Sequence, residues 1–598
     1  MQREDQPQAD AYEKYLYVRE TRRPRARDLI PKVFEEFVPY REGHPCDPNI
    51  IGGFAELEKQ PVFVIGQNWR TTSDRTIQST ISAQGFALAL EIMRLAEKYK
   101  RPLITLIDTP GGDPLQESAG LLQCWKISEC IATMAGLKVP TISVIIGEGG
   151  SGGALSLFVA DRSYMLENSV FSVISPEGCT QILFKGIEKQ SRDERKKRQS
   201  EMASLLRPTA RDMLEWKIID GIIEEPEKGA HADHNATAKN IKNVLAKSLA
   251  ELRKKPLEIL LQERFDRFMS FGKWEEEPVE PRVPWIKRIT GRLSDRVKSI
   301  FRRKKKQDSL SEADIVNDEK DKWDKDIFEC KNPECGKKIP FKKFIKNFNV
   351  CPECGKPDRD FYPSADDWIR HLTDRGSFTE KDPNLVPADP LSFSYTVDDD
   401  FRSYKNDVHR DQDKTGVNEA LIIGEAKIKG HDVVMAVSEY GFRGGSLSSV
   451  VGEKFVRAVK YANQKKCPLI SIAMSGGARR QEGIFSLLQM AKTNMALTRI
   501  RVPYISLLAD PTMAGSLSSY VTRGDIHLAE TDAEIGFAGI RVVEGYIKKR
   551  IRDKEGHLPP WYYADFYLEK GGINEIVPRE KMRERVHAYL ELFAALTK

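Results

Sequence analysis

The sequence of 598 residues contains no run of about 18 apolar residues, and its first residues are polar rather than a basic start followed by an apolar stretch. We therefore expect no membrane-spanning helix and no secretory signal, which makes the cytoplasm the simplest location. The sequence also lacks a G-x-x-x-x-G-K-[ST] loop and a G-x-G-x-x-G motif with its acidic partner, so no nucleoside triphosphate or dinucleotide site is indicated. Nine histidines are present, and none belongs to a recognisable catalytic triad.

The composition is that of a globular protein with more than one domain. Hydrophobic residues make up 40% of the chain and charged residues 30%. A chain of this length exceeds what one hydrophobic core normally organises. The formal net charge of +6 is small for the size of the protein. It suits an anionic, nucleotide-bearing ligand, and it equally suits a weak, incidental attraction to nucleic acid.

Four of the nine cysteines are clustered, with four, fifteen and two residues between successive members: Cys330, Cys335, Cys351 and Cys354. Two close cysteine pairs at this spacing, each followed by glycine, are typical of a tetrahedral zinc site. A disulfide fits poorly with a reducing compartment. Because four thiolates fill the coordination shell of zinc, the predicted role is structural. Five lysines between positions 337 and 346 leave nucleic-acid binding open as a further use of this segment.

Composition divides the chain into five segments. We expect an N-terminal helical extension at 1–46, a first α/β domain at 47–255, a charged and partly helical linker at 256–326, a zinc ribbon at 327–360 and a second α/β domain at 361–598. Charge dominates the linker, which includes a basic run at 302–306. We interpret that run as a solvated spacer, with a membrane-surface or RNA-binding helix as the alternative.

The two α/β domains repeat one pattern. The segment KRPLITLIDTPGGDP of the first matches KKCPLISIAMSGGARR of the second, and VPTISVIIGEGGSGGA matches VPYISLLADPTMAG. Aligning Pro102 with Pro468 and Pro140 with Pro503 needs a gap of three residues. Each copy alternates β-branched strands, glycine turns and helical runs, which indicates mainly parallel strand pairing. The sequence therefore predicts a duplicated domain.

Two glycine-rich turns are the candidate sites of chemistry. They are formed by Gly149, Gly150, Ser151, Gly152, Gly153 and Ala154 in the first domain and by Ser475, Gly476, Gly477 and Ala478 in the second. Both are expected to join a strand to a helix, where backbone N–H groups can hold a negatively charged oxygen. Close helix packing explains one such turn equally well, but two in duplicated domains favour the oxyanion role.

Long motifs in both domains resemble one enzyme family, the carboxyltransferase of bacterial and plastid acetyl-CoA carboxylase. The first domain is similar to its α subunit in FVIG (63–66), IDTPG (107–111), GEGGSGGA (147–154) and SVISPEGC (172–179). The second is similar to its β subunit in GGSLSSVVGEKFVRAV (444–459), SGGARRQEG (475–483), PYISLLADPTMAG (503–515) and IGFAG (535–539). The resemblance implies that both subunits are fused in one chain, with the α-type half first.

The resemblance implies a fold and a reaction. The fold is two crotonase-like ββα superhelices with the zinc ribbon between them. The reaction moves a carboxyl group from N1-carboxybiotin to acetyl-CoA, giving malonyl-CoA for fatty acid synthesis. Gly476 and Gly477 would hold the thioester oxygen, and Gly152 and Gly153 the biotin oxygen. The other residues of the two turns, together with Arg479, would bind substrate.

The same resemblance implies partners. Because the chain has no Met-Lys-Met biotin-attachment sequence, biotin must arrive on a biotin carboxyl carrier protein that a separate biotin carboxylase charges. A homodimer is also expected. Three alternatives stay open: a carboxyltransferase or decarboxylase for another acyl-CoA such as propionyl-CoA, a crotonase-type hydratase using Glu148 and Glu177, and a regulatory nucleic-acid-binding protein.

Overall fold

The computed structural model describes residues 11–41, 47–68, 79–184, 186–277, 327–332, 334–358, 361–397, 399–547, 549–553 and 557–596. The basic run at 302–306 and most of the expected linker lie outside these residues. No helix among them combines the length and the hydrophobicity needed to cross a bilayer.

The first half is built on an eight-stranded sheet with the order β1-β2-β3-β4-β5-β6-β8, in which β7 also pairs with β5. The strands are β1 (Glu35–Pro39), β2 (Ile50–Leu57), β3 (Gln60–Gln67), β4 (Leu103–Thr109), β5 (Thr141–Gly150), β6 (Arg162–Leu166), β7 (Val170–Ser172) and β8 (Gly221–Ile223). The first three strands are antiparallel, and every pair from β3 onward is parallel, as predicted. Strands β4 and β5 are buried along their whole length, as central strands between helical layers should be.

Eleven helices belong to the first half of the described chain. They are α1 (Ala11–Val18), α2 (Ala26–Val33), α3 (Ala83–Lys98), α4 (Gln116–Gly120), α5 (Gln123–Gly136), α6 (Ser151–Phe158), α7 (Pro176–Leu183), α8 (Arg192–Leu206), α9 (Ala210–Glu215), α10 (His234–Leu252) and α11 (Leu257–Met269). Helix α3 begins after Ser82, whose hydroxyl accepts a hydrogen bond from Gly85 N at 3.3 Å. Its apolar spacing predicted a helix here, and the structure confirms it.

A small cysteine-containing unit follows. Strand β9 (Trp274–Glu276) precedes this unit in the chain. The unit itself consists of β10 (Ile327–Glu329), β11 (Lys338–Pro340) and α12 (Phe341–Lys346). Strands β10 and β11 form an antiparallel hairpin. The rings of Phe328 and Phe344 stack with centroids 3.9 Å apart and form a miniature core with the cysteines.

The second half repeats the sheet of the first, with the order β12-β16-β17-β18-β19-β20-β22 and β21 paired with β19. Its strands, with three outside this sheet, are β12 (Thr379–Lys381), β13 (Leu385–Pro387), β14 (Ser394–Val397), β15 (Asp400–Ser403), β16 (Leu421–Ile428), β17 (His431–Ser438), β18 (Leu469–Ser475), β19 (Tyr504–Met513), β20 (Ile526–Glu530), β21 (Ile535–Gly536) and β22 (Glu575–Val577). The helices are α13 (Ala365–Leu372), α14 (Tyr404–Thr415), α15 (Ser449–Lys465), α16 (Ile484–Leu497), α17 (Ala514–Leu517), α18 (Ile540–Ile547), α19 (Ala564–Glu569) and α20 (Met582–Leu596).

The strand registers confirm the duplication residue by residue. Thr109 is paired with Gly149 in the first half, and Ser475 with Thr512 in the second. Outside the strands, an isolated bridge joins Ile81 to Gly112, and another joins Leu447 to Ala478. These equivalences contain the three-residue gap that the proline alignment predicted. The two halves are α/β domains that share one strand order.

Helices α5 and α16, which hold equivalent positions in the two halves, pack against each other. Between them, Ser128 Oγ lies 2.8 Å from Asn494 Oδ1 and 3.1 Å from the Ser519 carbonyl oxygen. Trp125 stacks on Tyr567 across the same boundary, with ring centroids 5.5 Å apart. One continuous apolar core therefore runs through both halves.

Two segments depart from the expected boundaries. The N-terminal extension supplies β1 to the edge of the first sheet in addition to helices. The beginning of the expected linker is folded: in α11, Arg264 is buried and pairs with Asp161 at 2.7 Å. Strand β9 then pairs with β13 of the second half. Charged composition suggested a linker here, but two of the charges of helix α11, Arg264 and Arg267, are paired with Asp161 and Asp220 of the first domain.

Candidate active site

The glycine turn of the first half lies where β5 ends and α6 begins. The residue before α6 is Gly150, which has no side chain to accept from the first N–H groups of the helix. A Cβ at Gly150 would lie 2.1 Å from Pro110 O, and one at Gly153 would lie 2.5 Å from Gly111 C. Glycine at both positions therefore lets two turns pack backbone against backbone. It also leaves the N-terminus of α6 open to an anionic oxygen.

The turn at 475–478 in the second half has a different place in the repeat. It follows β18, so it is equivalent to the turn after β4, not to the turn before α6. The expectation that both turns open a helix in the same way was wrong for this segment, which instead bridges to Leu447. The true counterpart of Ser151 is Ala514, and both have a positive φ, 52° and 51°.

Ala514 and Gly515 were therefore missed as candidate site residues. The proline alignment contained the signal, since it places Gly152 opposite Gly515. A Cβ at Gly477 would lie 2.6 Å from the Ala514 Cβ, so the two turns of this half also pack closely. In each half, the end of one parallel strand therefore lies beside the start of the helix that follows the next strand. The pairs are β4 with α6 in the first half and β18 with α17 in the second.

One side chain touches the turns of both halves. Met490 of α16 is buried, and its Cε would lie 3.1 Å from a Cβ at Gly152. Its Sδ would lie 3.5 Å from a Cβ at Gly515. A further contact joins Gly112 to Phe537 of the IGFAG motif, where an added Cβ would lie 2.8 Å from the ring. The glycine turns of the two halves therefore lie on either side of one surface, formed by Met490 and Phe537.

The predicted donors of the second half already have acceptors within the protein. The Gly477 N–H donates to Ser475 Oγ at 3.1 Å, and the Gly476 N–H donates to the Gly444 carbonyl at 2.9 Å. Gly476 is nonetheless exposed, and an added Cβ there would meet a single atom within 4 Å, at 3.7 Å. Ligand binding at this turn requires that a ligand oxygen share or replace these internal acceptors.

The remaining predicted residues differ in exposure. Those that are buried are Gly149, Gly150, Gly152, Gly153, Ala154, Ser475, Gly477 and Arg479; those that are half-buried are Ser151 and Ala478. Arg479 donates to Glu419 at 2.6 Å with both side chains fully buried. Although burial opposes the charge, Glu419 raises the pKa of Arg479. The structure places this guanidinium behind the turn, where it fixes the backbone and has no path to a ligand.

The next residue, Arg480, lacks such an anchor. Its Nε is buried and has no hydrogen-bond partner among the described residues. Burial lowers its pKa, and the positive charges of Arg443 and Arg541 lower it further. Arg443 is itself paired with Asp407 at 2.9 Å, so the buried Nε of Arg480 is the cationic donor that can bind an anionic ligand here.

A cavity of about 340 Å³ adjoins the exposed Gly476. It is lined by the Gly444 turn that accepts from Gly476, by two aromatic residues, by two cations and by two carboxylates: Tyr362, Asp411, Lys414, Glu439, Tyr440, Arg443 and Gly444. Tyr362 and Tyr440 lie with their ring centroids 4.7 Å apart. The cavity therefore offers aromatic rings and charges of both signs next to a backbone turn, and its Arg443 is already paired with Asp407 at 2.9 Å.

The two carboxylates considered for hydratase chemistry are bound to one cation. Arg19 donates to Glu148 at 2.7 Å and to Glu177 at 2.9 Å. Burial opposes ionisation of Glu177, yet Arg19 holds the pKa of that carboxyl below its ordinary value. Both carboxylates are thus bound to one guanidinium, and neither can act as a general acid or base without giving up its ion pair, which argues against the hydratase alternative.

The four clustered cysteines meet as their spacing suggested. Cys330 Sγ lies 3.7 Å from Cys354 Sγ, and Cys335 Sγ lies 4.0 Å from Cys351 Sγ. These separations are too long for disulfides, whose sulfurs lie about 2.05 Å apart. The unit docks on the second half through Phe348, whose carbonyl accepts from Arg579 at 3.2 Å and whose ring stacks on His371.

Family models match both halves. One described as acetyl co-enzyme A carboxylase carboxyltransferase-like matches residues 2–272, and one described as a carboxyl transferase domain matches residues 374–556. Together they account for both glycine-turn regions.

Among solved structures, the transcarboxylase 12S hexamer with methylmalonyl-coenzyme A aligns at 14% identity over 98% of this chain and 92% of its own, with a TM-score of 0.31. The β subunit of P. aeruginosa geranyl-CoA carboxylase aligns at 13% over 99% and 96%, with a TM-score of 0.30. A Pseudomonas malonate decarboxylase heterodimer aligns at 20% over 39% and 86%, with a TM-score of 0.28. Scores this low leave the assignment to the family models and the geometry above.

Proposed function

We propose that the chain is a biotin-dependent carboxyltransferase whose substrate is acetyl-CoA and whose product is malonyl-CoA. Support comes from the carboxyltransferase models that match residues 2–272 and 374–556. The carboxyl donor is N1-carboxybiotin on a separate carrier protein, charged by a biotin carboxylase. Support for the acetyl group comes from the α-type and β-type motifs and from the model that matches the first half. The product would serve fatty acid synthesis.

The observation that carries this proposal is the pair of glycine turns that meet at Met490. Carboxyl transfer to an acyl-CoA develops negative charge on two oxygens, one on the thioester and one on the ureido group of biotin. Two sets of backbone N–H groups, held rigid in a buried wall, match that requirement. The turn before α6 would hold the biotin oxygen. The turns that contain Gly476, Gly477 and Gly515 would hold the thioester oxygen.

The chain's own contribution is positioning and charge stabilisation. Bound carboxybiotin supplies the carboxyl group and, once that group has left, a basic nitrogen for the α-proton of the acyl-CoA. No side-chain base is then required, which agrees with the ion-paired state of Glu148 and Glu177. The positive charge of Arg480, whose buried Nε has no hydrogen-bond partner among the described residues, would bind an anionic part of either substrate.

A structural zinc ion in the cysteine unit is part of the proposal. In a tetrahedral site with zinc–sulfur bonds of about 2.3 Å, neighbouring sulfurs lie about 3.8 Å apart. The observed separations of 3.7 and 4.0 Å fit that geometry. We expect one zinc per chain at this site, lost in Cys351→Ser. A Cys351→Ser protein that keeps the full zinc content would contradict it.

A homodimer is likewise proposed, by analogy with the family. Sedimentation at micromolar concentration would show twice the chain mass of 67.9 kDa. A monomeric mass under those conditions would rule it out.

The test of activity is carboxyl transfer from malonyl-CoA to biocytin, followed alongside methylmalonyl-CoA. Gly476→Val places a side chain in the open space before the turn, and Gly152→Ala places a methyl against the flexible end of Met490. We expect Gly476→Val to lose about 100-fold in rate, because the valine side chain would keep the ligand oxygen away from a backbone N–H that itself remains, and denying one oxyanion donor typically costs about this much. Gly152→Ala should lose less, because Met490 can move.

Gly136→Ala is the matched control, since a Cβ there meets nothing within 4 Å. These variants are preferred to Gly477→Val and Gly153→Val, which threaten the fold. Gly477 has a positive φ, and an added Cβ at Gly153 would lie 2.5 Å from the backbone of Gly111. Faster transfer from methylmalonyl-CoA than from malonyl-CoA would move the assignment to a propionyl-CoA enzyme. Absence of transfer from either substrate, with a folded protein, would overturn the proposal.

A further inference from the structure

A second group of metal-ligating side chains lies at the outer edge of the second half. One ring nitrogen each of His431 and His587 and one carboxylate oxygen of Glu591 lie within 4.8 Å of one another. His431 Nε2 is 2.5 Å from Glu591 Oε1, and the two imidazole centroids are 5.3 Å apart. Two imidazoles and a carboxylate are ligands that zinc and related divalent ions prefer.

The three ligands belong to two regular elements. His431 is the first residue of β17, while His587 and Glu591 are four residues apart on α20. Residues at this helical spacing share one face, so both side chains of α20 can reach the same ion. An ion bound here would fasten the C-terminal helix to the β16–β17 hairpin.

The cluster has an incompletely bonded nitrogen. His587 Nδ1 is buried and has no hydrogen-bond partner among the described residues. Buried ring nitrogens are normally partnered, so this imidazole has a nitrogen available to a ligand that the protein alone does not supply. The side chain of Glu591 is 60% exposed, so solvent reaches the site and can fill a remaining coordination position.

We propose that His431, His587 and Glu591 bind a divalent transition-metal ion, with zinc as the expected ion and water completing a tetrahedral shell. The ion stabilises the C-terminal helix and takes no part in the carboxyl-transfer chemistry. The cluster lies at the start of β17, a strand about 23 Å long for its seven residue steps, and the loop that contains Gly444 follows the other end of that strand. The cluster shares no residue with the cysteine unit.

The test measures zinc per chain in the full-length protein after equilibration with micromolar free zinc. Wild type should hold one equivalent more than His587→Ala and one more than Glu591→Gln, whatever the occupancy of the cysteine site. Zinc should also slow amide hydrogen exchange along α20 in wild type and leave both variants unchanged.

The matched control is His557→Ala, which removes an exposed histidine that pairs with Asp553 at 3.2 Å and lies outside the cluster. It should keep the wild-type zinc content. Since Glu591 is exposed, Glu591→Gln should keep the fold, so a loss of zinc in that variant cannot come from unfolding. Equal zinc content in wild type, His587→Ala and Glu591→Gln would overturn the proposal.

Discussion

The two halves share one backbone plan and differ in the residues placed on it. In the first half the turn after β4 contains Pro110, which has no N–H, and its neighbour Gly111 donates to Thr109 Oγ1 at 3.2 Å. In the second half the equivalent position is Gly476, whose N–H is bonded to Gly444. A duplicated scaffold thus presents two chemically different surfaces, as a reaction between two different substrates requires.

The halves also share a way of holding their turns. In the first, Arg23 donates to Glu225 at 2.6 Å and to the Ile146 carbonyl just before the glycine turn. In the second, Arg479 donates to Glu419 and to the Ser446 carbonyl. All four side chains are fully buried. A buried guanidinium tied to a backbone carbonyl therefore fixes the site in both copies, at unrelated sequence positions.

The largest expected effect on the free energy of unfolding comes from removing the arginine of either buried ion pair. Arg23→Met or Arg479→Met leaves a buried carboxylate without its partner, which typically costs about 3–5 kcal/mol. Urea denaturation of the full chain should show a loss of this size in each variant. Arg402→Met removes an exposed pair with Asp400 and should change stability by less than about 1 kcal/mol. Equal losses in all three would mean that burial does not decide the strength of these pairs.

A smaller, pH-dependent effect on stability is expected from His527, which lies at the boundary between the halves. Burial lowers the pKa of His527 to about 4, and its ring lies against Trp125 of the first half. Since the folded pKa lies below the unfolded value of about 6.5, the unfolded state binds the extra proton as pH falls from 6.5 to 4. Stability is therefore complete above pH 6.5 and declines through this window, by up to about 3 kcal/mol.

His527→Gln should remove this part of the acid sensitivity, measured as the difference between wild type and variant at pH 7 and pH 4.5. His557, which is exposed, serves as the control position. The same pH dependence in wild type and His527→Gln would show that the histidine is solvated in both states.

The smallest expected effect tests the polar contact between α5 and α16. Ser128→Ala removes a buried hydrogen bond to Asn494 and should cost about 1 kcal/mol of unfolding free energy. Ser169→Ala removes a buried hydroxyl that bonds within the first half, to the Leu166 carbonyl. If the halves unfold as one unit, both variants shift a single transition. If Ser128→Ala alone splits the transition in two, the halves are coupled mainly through this boundary.

The sequence predicted the duplication and the parallel sheets because both depend on local patterns. Apolar β-branched runs such as β4, glycine turns and the helical spacing of α3 are readable without long-range contacts. The equivalence of Ala514 with Ser151 was also contained in the proline alignment, although glycine content drew attention to Gly476 instead. Glycine counts identify turns, but position in the repeat decides which turns are equivalent.

Other features depend on contacts that no local pattern encodes. The resemblance implied that Arg479, which follows the glycine turn directly, binds substrate, yet its guanidinium is held in an ion pair with Glu419, 60 positions away. Helix α11 is a similar case, because its Arg264 and Arg267 are paired with the distant residues Asp161 and Asp220. Met490, which joins the two sites, lies in a buried apolar helix that resembles any other core helix in sequence.

The pairing of β9 with β13 has a consequence for how such a protein can be divided. Strand β9 comes before residues 278–326 and β13 comes after them, so the two halves are already attached by main-chain hydrogen bonds and by a common core. A chain cut once between 278 and 326 would retain these contacts. The peptide connection would then act mainly by raising the effective concentration of one half around the other. The same molecule could be encoded as two separate polypeptides that assemble after synthesis.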